Sequence, residues 1–172
     1  MNLQSTDFEL FGVPPRFAQD PAQLEARWKE LQRQVHPDKF ATQGAAAQRV
    51  AMQWSARINE AYRRLKDPLK RAAYLCELNG TPIGAETNTS MPAEFLMQPM
   101  ELREQLDDAG TAEELHRIDE LSTSLSGGML RKIEQQADTQ QDWPGVAQSV
   151  RALMFLEKLA GDIARKRETL AA

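Results

Sequence analysis

The chain has 172 residues, 41% hydrophobic and 27% charged, which suits one medium domain or two small ones and excludes wholesale disorder or a collagen-like repeat. Its single cysteine, Cys76, excludes an intramolecular disulfide and any multi-cysteine zinc or iron–sulfur site within one chain. The formal charge of −4 disfavours non-specific binding to nucleic acid, and no apolar run approaches the ~20 residues of a membrane-spanning helix.

The first ten residues carry Asp7 and Glu9 and no basic cluster, so no signal or transit peptide is expected and the chain is expected to be cytoplasmic. A small turn around Phe8, Leu10 and Phe11 comes first. Pro21, at an N1-like position after Asp20, then opens a helix with an apolar stripe of Leu24, Trp28, Leu31 and Val35. Pro37 ends it, because proline disfavours helical geometry in the preceding His36. A second stripe, Val50, Trp54, Ile58, Ala61 and Leu65, predicts a partner helix. Asp67-Pro68 starts a short third helix carrying Leu69, Ala72, Ala73 and Cys76, and Asn79-Gly80 stops it. The stretch from Asn79 to Gly84, with Thr87 to Ser90, has turn composition.

Charge changes across that stretch. Residues 1–80 hold 12 Lys/Arg against 9 Asp/Glu, whereas residues 81–172 hold 9 against 16. A weakly basic domain, 1–76, a linker, 77–90, and an acidic domain, 91–172, are expected. The acidic part predicts three helices: one over about 92–108, one capped by Thr111 with Glu114 completing a capping box, and one from near Asp142 to about Leu170. Short loops between them suggest a three-helix bundle, and no window alternates as a strand would, so the fold class is all-α.

His36-Pro37-Asp38 lies at the join of the first two long helices. Antiparallel packing of the two stripes would thrust this loop out at one end of the pair. The proline stiffens it, a carboxylate sits beside an imidazole, and Arg27, Lys29, Arg33 and Lys39 make the approach basic. Such a surface attracts an acidic partner in a salt-dependent way and offers Asp38 to a partner arginine. The tripeptide alone is equally compatible with a simple Asx-type turn. An acid–base pair of His36 and Asp38 is a further reading. However, the chain has no recognisable nucleophile motif, glycine-rich phosphate loop or metal-ligand spacing, so it is not expected to be an enzyme. A DNA-binding helix-turn-helix fits poorly with the overall acidity. His116 reads as a solvated surface residue and Cys76 as a core residue.

Flanking motifs sharpen the choice. Phe8-Glu9-Leu10-Phe11-Gly12-Val13, His36-Pro37-Asp38-Lys39, Ile58-Asn59-Glu60-Ala61-Tyr62, and Leu65-Lys66-Asp67-Pro68 with Arg71-Ala72-Ala73-Tyr74 occur in order. Together they make the first 76 or so residues resemble a J domain. The resemblance implies an antiparallel helical hairpin with short flanking helices that binds a seventy-kilodalton heat-shock chaperone and stimulates its ATPase. His36, Pro37 and Asp38 would be the trigger, with Arg27, Lys29 and Arg33 steering it onto an acidic surface.

In the acidic half, at about 100° per residue and with Phe95 at zero, Leu102 falls at about 340° and Leu106 at about 20°, an inward stripe. Leu96 falls at about 100° and Met100 at about 140°. Glu104 follows at about 180° and Met97 at about 200°. Asp108 stands at about 220° and Glu101 at about 240°. This second apolar face, rimmed by carboxylates, exceeds what one helix of a bundle buries and suggests a partner site. In the last helix Val146, Val150 and Leu153 share a stripe, and Phe155 lies about 180° from Val146. Phe155 is a candidate contact. The plainer alternative packs Phe155, Leu156 and Leu159 on the J domain. Pro99 lacks a backbone donor and is expected to kink or start its helix, and Gly127-Gly128 weakens the middle one.

A J domain followed by Phe95-Leu96-Met97, Met100-Glu101-Leu102-Arg103-Glu104, Leu106 and the late Phe155-Leu156-Glu157-Lys158-Leu159 resembles the HscB-type co-chaperones of iron–sulfur cluster assembly over essentially the whole chain. The resemblance implies two protein partners, an IscU-type cluster scaffold and an HscA-type chaperone. By position the scaffold contacts would be Leu96, Met97, Met100, Glu101, Glu104, Asp108 and Phe155. Eukaryotic relatives can carry an N-terminal zinc-binding cysteine region. This chain has none, so no metal or cofactor is expected. Neither nucleic acid nor membrane is an expected partner, and the chain is expected to be a monomer. The alternative is a J-domain protein delivering a different client, such as misfolded chains, to a general chaperone.

Overall fold

The computed structural model describes residues 2–84 and 93–172. All regular structure among them is helical, as the periodicities require. The chain divides into two compact units, Met1–Leu75 and Cys76–Ala172. The division falls inside a helix that runs on to Leu78, so residues 77 and 78 of the expected linker are helical. Residues 85–90 of that linker, and position 92 at the expected start of the next helix, lie outside the described residues.

The first unit begins with α1 (Asp7–Phe11), whose first turn is capped by the Thr6 hydroxyl accepting from the Glu9 N–H at 3.1 Å. Gly12, at φ +65°, ends it in the left-handed conformation that glycine adopts without penalty. The two long helices are α2 (Pro21–Val35) and α3 (Ala45–Lys66). Leu24, Leu31 and Val35 of α2 and Ile58, Ala61 and Leu65 of α3 are buried with Phe8 and Phe11.

The upper end of the expected α3 stripe does not follow. Val50 is 51% exposed and Trp54 only half-buried, whereas Ala51 is buried. Each spacing of four turns the stripe by about 40°, so Val50 has rotated roughly 80° from Ile58 while Ala51 stays within about 20° of it.

Polar groups tie α2 to α3. Asn59 Oδ1 accepts from Trp28 Nε1 and from Gln32 Nε2, both at 2.8 Å, and Ser55 Oγ donates to Gln32 Oε1 at 2.8 Å. Tyr62 stacks on Trp28, with ring centroids 4.9 Å apart, and on Phe11. The fully buried Asp7 carboxylate is paired with Arg57 at 2.8 Å and Arg64 at 2.6 Å, and its N–H donates to the Tyr74 hydroxyl. Arg64 lies over the Tyr74 ring. The hydrogen bond to Asp7, more than any other influence, holds the Arg64 guanidinium above its usual range. Helix α4 (Pro68–Leu78) starts under Asp67, whose Oδ1 accepts from the Leu69 N–H. Buried Arg71 donates to the Phe17 and Leu65 carbonyls.

The second unit contains α5 (Ala93–Asp108), α6 (Ala112–Glu134) and α7 (Trp143–Ala171), each packed on the other two. Leu102 and Leu106 of α5, Leu115 and Ile118 of α6 and Leu156, Leu159 and Ile163 of α7 form one buried cluster. Thr111 Oγ1 caps α6 by accepting from the Glu114 N–H at 3.2 Å. The Glu114 carboxylate accepts from the Gly110 N–H rather than closing the expected box on Thr111. Helix α5 continues through Pro99, which is buried on the bundle side close to the inward stripe. A five-residue π turn, Gln135–Thr139, follows α6 and has no counterpart among the sequence expectations. Gly145, in the first turn of α7, sits where a Cβ would collide with the Asp142 carboxylate that caps it.

Candidate functional site

In the first unit the candidate site is the loop between α2 and α3. His36 has the extended backbone (φ −58°, ψ 128°) expected before proline, which ends α2. Pro37–Phe40 then form one 3₁₀ turn. The His36 imidazole caps this turn, its Nδ1 accepting from the Asp38 N–H at 3.2 Å. Asp38 Oδ2 lies 3.5 Å from the same nitrogen. With Nδ1 accepting from the Asp38 N–H, that nitrogen is not at the same time a donor to the Asp38 carboxylate. The two side chains are 57% and 92% exposed, unlike the enclosed pocket an acid–base pair needs.

The basic residues differ in how free they are. Arg27 is tied to the Phe11 carbonyl at 3.0 Å and to Glu30 at 3.1 Å, and Lys29 pairs with Glu25 at 3.2 Å. Arg33 and Lys39 are exposed. Ala26, Trp28, Lys29, Gln32 and Arg33 line a shallow depression along α2.

In the second unit α5 and α7 bound an open groove of about 520 Å³, lined by Leu96, Met100, Arg103 and Glu104 from α5 and by Phe155, Lys158 and Leu159 from α7. It brings together four of the seven residues expected to meet a scaffold: Leu96, Met100, Glu104 and Phe155. Leu96 and Phe155 are half-buried, and Met97 and Met100 are 62% and 53% exposed. Glu101 instead lines a smaller groove of about 230 Å³ between α5 and α6, with Leu102, Gln105 and Leu121. Met97 and Asp108 line neither groove, although both are exposed.

Phe155 reaches the groove because the buried face of α7 rotates along its length. By Leu159 that face stands about 220° from Val146, which brings Phe155, at about 180°, to its margin. Leu156 and Leu159 are buried in the second unit's own cluster, and Leu159 also floors the groove. Sequence reading missed Arg103 and Lys158 as lining residues. Helical spacing would have found them, since each is the i+3 neighbour of a residue already chosen, Met100 and Phe155.

Arg103 pairs with Asp162, which also holds Arg165. Lys166 donates to the Leu106 and Asp107 carbonyls, capping the C-terminus of α5 and steadying one wall of the groove. His116 is exposed, with its Nε2 3.1 Å from the Glu120 carboxylate. Cys76 is fully buried, and burial pushes its thiol up to about 11. No cluster of three or more metal-ligating His, Cys, Asp or Glu side chains occurs among the described residues, and no helix among them is long and apolar enough to cross a membrane.

The profile of the family described as the HSCB C-terminal oligomerisation domain matches residues 91–164. A protein named Co-chaperone protein HscB homolog, from Burkholderia thailandensis, is 45% identical over 173 residues, covering 99% of this chain and 98% of its own. The solved structure of the chaperone HscB from Vibrio cholerae superposes with a TM-score of 0.82 at 36% identity, covering 96% of this chain and 99% of that one. Human co-chaperone protein HscB superposes with a TM-score of 0.90 at 25% identity, covering 97% of this chain and 84% of that one. Full-length identity to named co-chaperones, together with a J-type hairpin and a helical bundle in the same order, places this chain in the HscB co-chaperone family.

Proposed function

We propose that the chain is a two-surface adaptor of iron–sulfur cluster assembly. The His36-Pro37-Asp38 loop engages an HscA-type chaperone and stimulates its ATPase, and the α5–α7 groove holds an IscU-type scaffold for delivery. The observation that supports this most directly is the groove itself. It is an open apolar trough, edged by the exposed carboxylate of Glu104, on a chain whose relatives along its full length are co-chaperones. Its half-buried Leu96 and Phe155 can each bury further area against a partner without disturbing the bundle cluster beneath. Met97, Glu101 and Asp108 extend the contact over the exposed shoulder of α5. On the other unit, the exposed Asp38 carboxylate offers an acceptor to a partner arginine, and Arg33 and Lys39 draw an acidic surface toward it. Neither surface needs a bound nucleotide, metal or cluster in this chain.

Two variants test the reading. His36→Gln is expected to abolish stimulation of the chaperone ATPase while leaving scaffold affinity within about twofold, since the groove is untouched. Leu96→Ala with Phe155→Ala is expected to weaken scaffold binding by about 30-fold or more in calorimetry, with the helical circular dichroism retained. Full stimulation by the first, or wild-type affinity of the second, refutes the corresponding half.

A further inference from the structure

The chain's sulfur chemistry is unevenly placed. The one thiol, Cys76, is fully buried and held neutral by burial, which shields it from oxidants that attack the thiolate. The oxidisable sulfur that faces solvent is thioether. Met97 and Met100 are exposed one helical turn apart on α5, with Met100 lining the apolar groove. Met52 and Met154 are also exposed, but neither lines it. We propose that Met97 and Met100 are a reversible oxidation site that switches the groove off as a docking surface. This rests on the docking reading given above.

The chemistry is a two-electron oxidation by a peroxide. A sulfur lone pair attacks one peroxide oxygen, the S–O bond forms as the O–O bond breaks, and the departing hydroxide leaves as water after proton transfer. Sulfur is oxidised to the sulfoxide and the peroxide is reduced. The product is polar and chiral where the thioether was apolar and adaptable. On Met100, in the groove lining, a sulfoxide oxygen would have to be desolvated by any apolar insert that reaches Leu96 and Phe155, and on Met97, one turn away on the exposed shoulder of α5, by the rest of the docked partner. The effect reverses when a methionine sulfoxide reductase returns the thioether. A docked scaffold also covers Met100, so oxidation and docking exclude each other from both directions.

The test uses the full chain, hydrogen peroxide, a purified IscU-type scaffold and peptide mass spectrometry. Peroxide is expected to convert Met97 and Met100 to sulfoxides and to weaken scaffold affinity by about tenfold or more, with recovery after treatment by the reductases. Bound scaffold is expected to slow sulfoxide formation at Met100 and leave that at Met52 unchanged. A Met52→Leu/Met154→Leu variant should lose affinity on oxidation as the wild type does. A Met97→Leu/Met100→Leu variant, whatever its starting affinity, should change less than twofold. Undiminished affinity in protein carrying both sulfoxides, or equal loss in the Met97→Leu/Met100→Leu variant, overturns the oxidation switch alone. Failure of untreated protein to bind the scaffold overturns the docking reading and the switch with it.

Discussion

Cys76 shows how much one side chain's surroundings decide. The thiol is sealed beside the Trp143 carbonyl, 4.0 Å from its sulfur, and burial raises it to about 11 from an ordinary value near 9. The neutral thiol is therefore favoured in the folded state. Below pH 9 both states keep the proton and stability is unaffected. Between pH 9 and 11 the unfolded chain releases it first, so stability falls as pH rises, by about 2–3 kcal/mol over the interval. Urea midpoints across that range should fall with a slope steeper by one proton than those of Cys76→Ala. The folded thiol should also resist iodoacetamide at neutral pH. Asp38 is the opposite case: its carboxylate is 92% exposed, with the His36 imidazole 3.5 Å away, and in the proposed reading it meets a partner arginine.

At the scale of helices, the α2–α3 hairpin is held by polar contacts as well as by its apolar stripe. Asn59 accepts from two side chains of α2 at once, Trp28 and Gln32. Asn59→Ala would orphan the Trp28 indole N–H and loosen the Gln32 amide, both part-buried. It should cost the first unit about 1–3 kcal/mol, read as faster hydrogen exchange at the buried Ile58 and Ala61 amides. This also accounts physically for the Ile58-to-Tyr62 motif. Ile58 and Ala61 fill the core, Asn59 serves α2 as a shared acceptor, and Tyr62 stacks on Trp28. Helix α5 obeys a similar division of labour. Pro99, Leu102 and Leu106 are buried, which turns Met100 and Glu104 outward to the groove. The missing N–H of Pro99 does not end the helix, because burial of its ring and of the leucines after it holds the segment in place.

At the scale of the whole chain, the two proposed docking surfaces belong to separate compact units, and on the proposed reading delivery requires both on one polypeptide. Linking client and trigger raises the effective concentration of one for the other. Equal amounts of His36→Gln and Leu96→Ala/Phe155→Ala chains, mixed together, should therefore fail to restore scaffold-dependent stimulation of the chaperone ATPase, although each surface is present in the mixture. Restoration in a steady-state assay would show that linkage is dispensable.

Helical period, proline positions and the Asp20, Asp67, Thr111 and Asp142 caps are local properties, so the helices and most of their ends could be read from residues a few places apart. The J-type motifs were legible for the same reason, each lying within one turn or loop. Long-range geometry was not. The exposure of Val50, the rotation of the buried face of α7 toward Leu159, and the departure of Glu101 from the groove that holds Glu104 depend on where a neighbouring helix ends and on which side it lies. The apolar periodicity of α5 alone shows more apolar face than a bundle needs. Only the packing of α5 against α7 decided which part of that face, with Arg103 and Lys158 added, becomes a groove, because a groove belongs to two helices and neither one's periodicity contains the other.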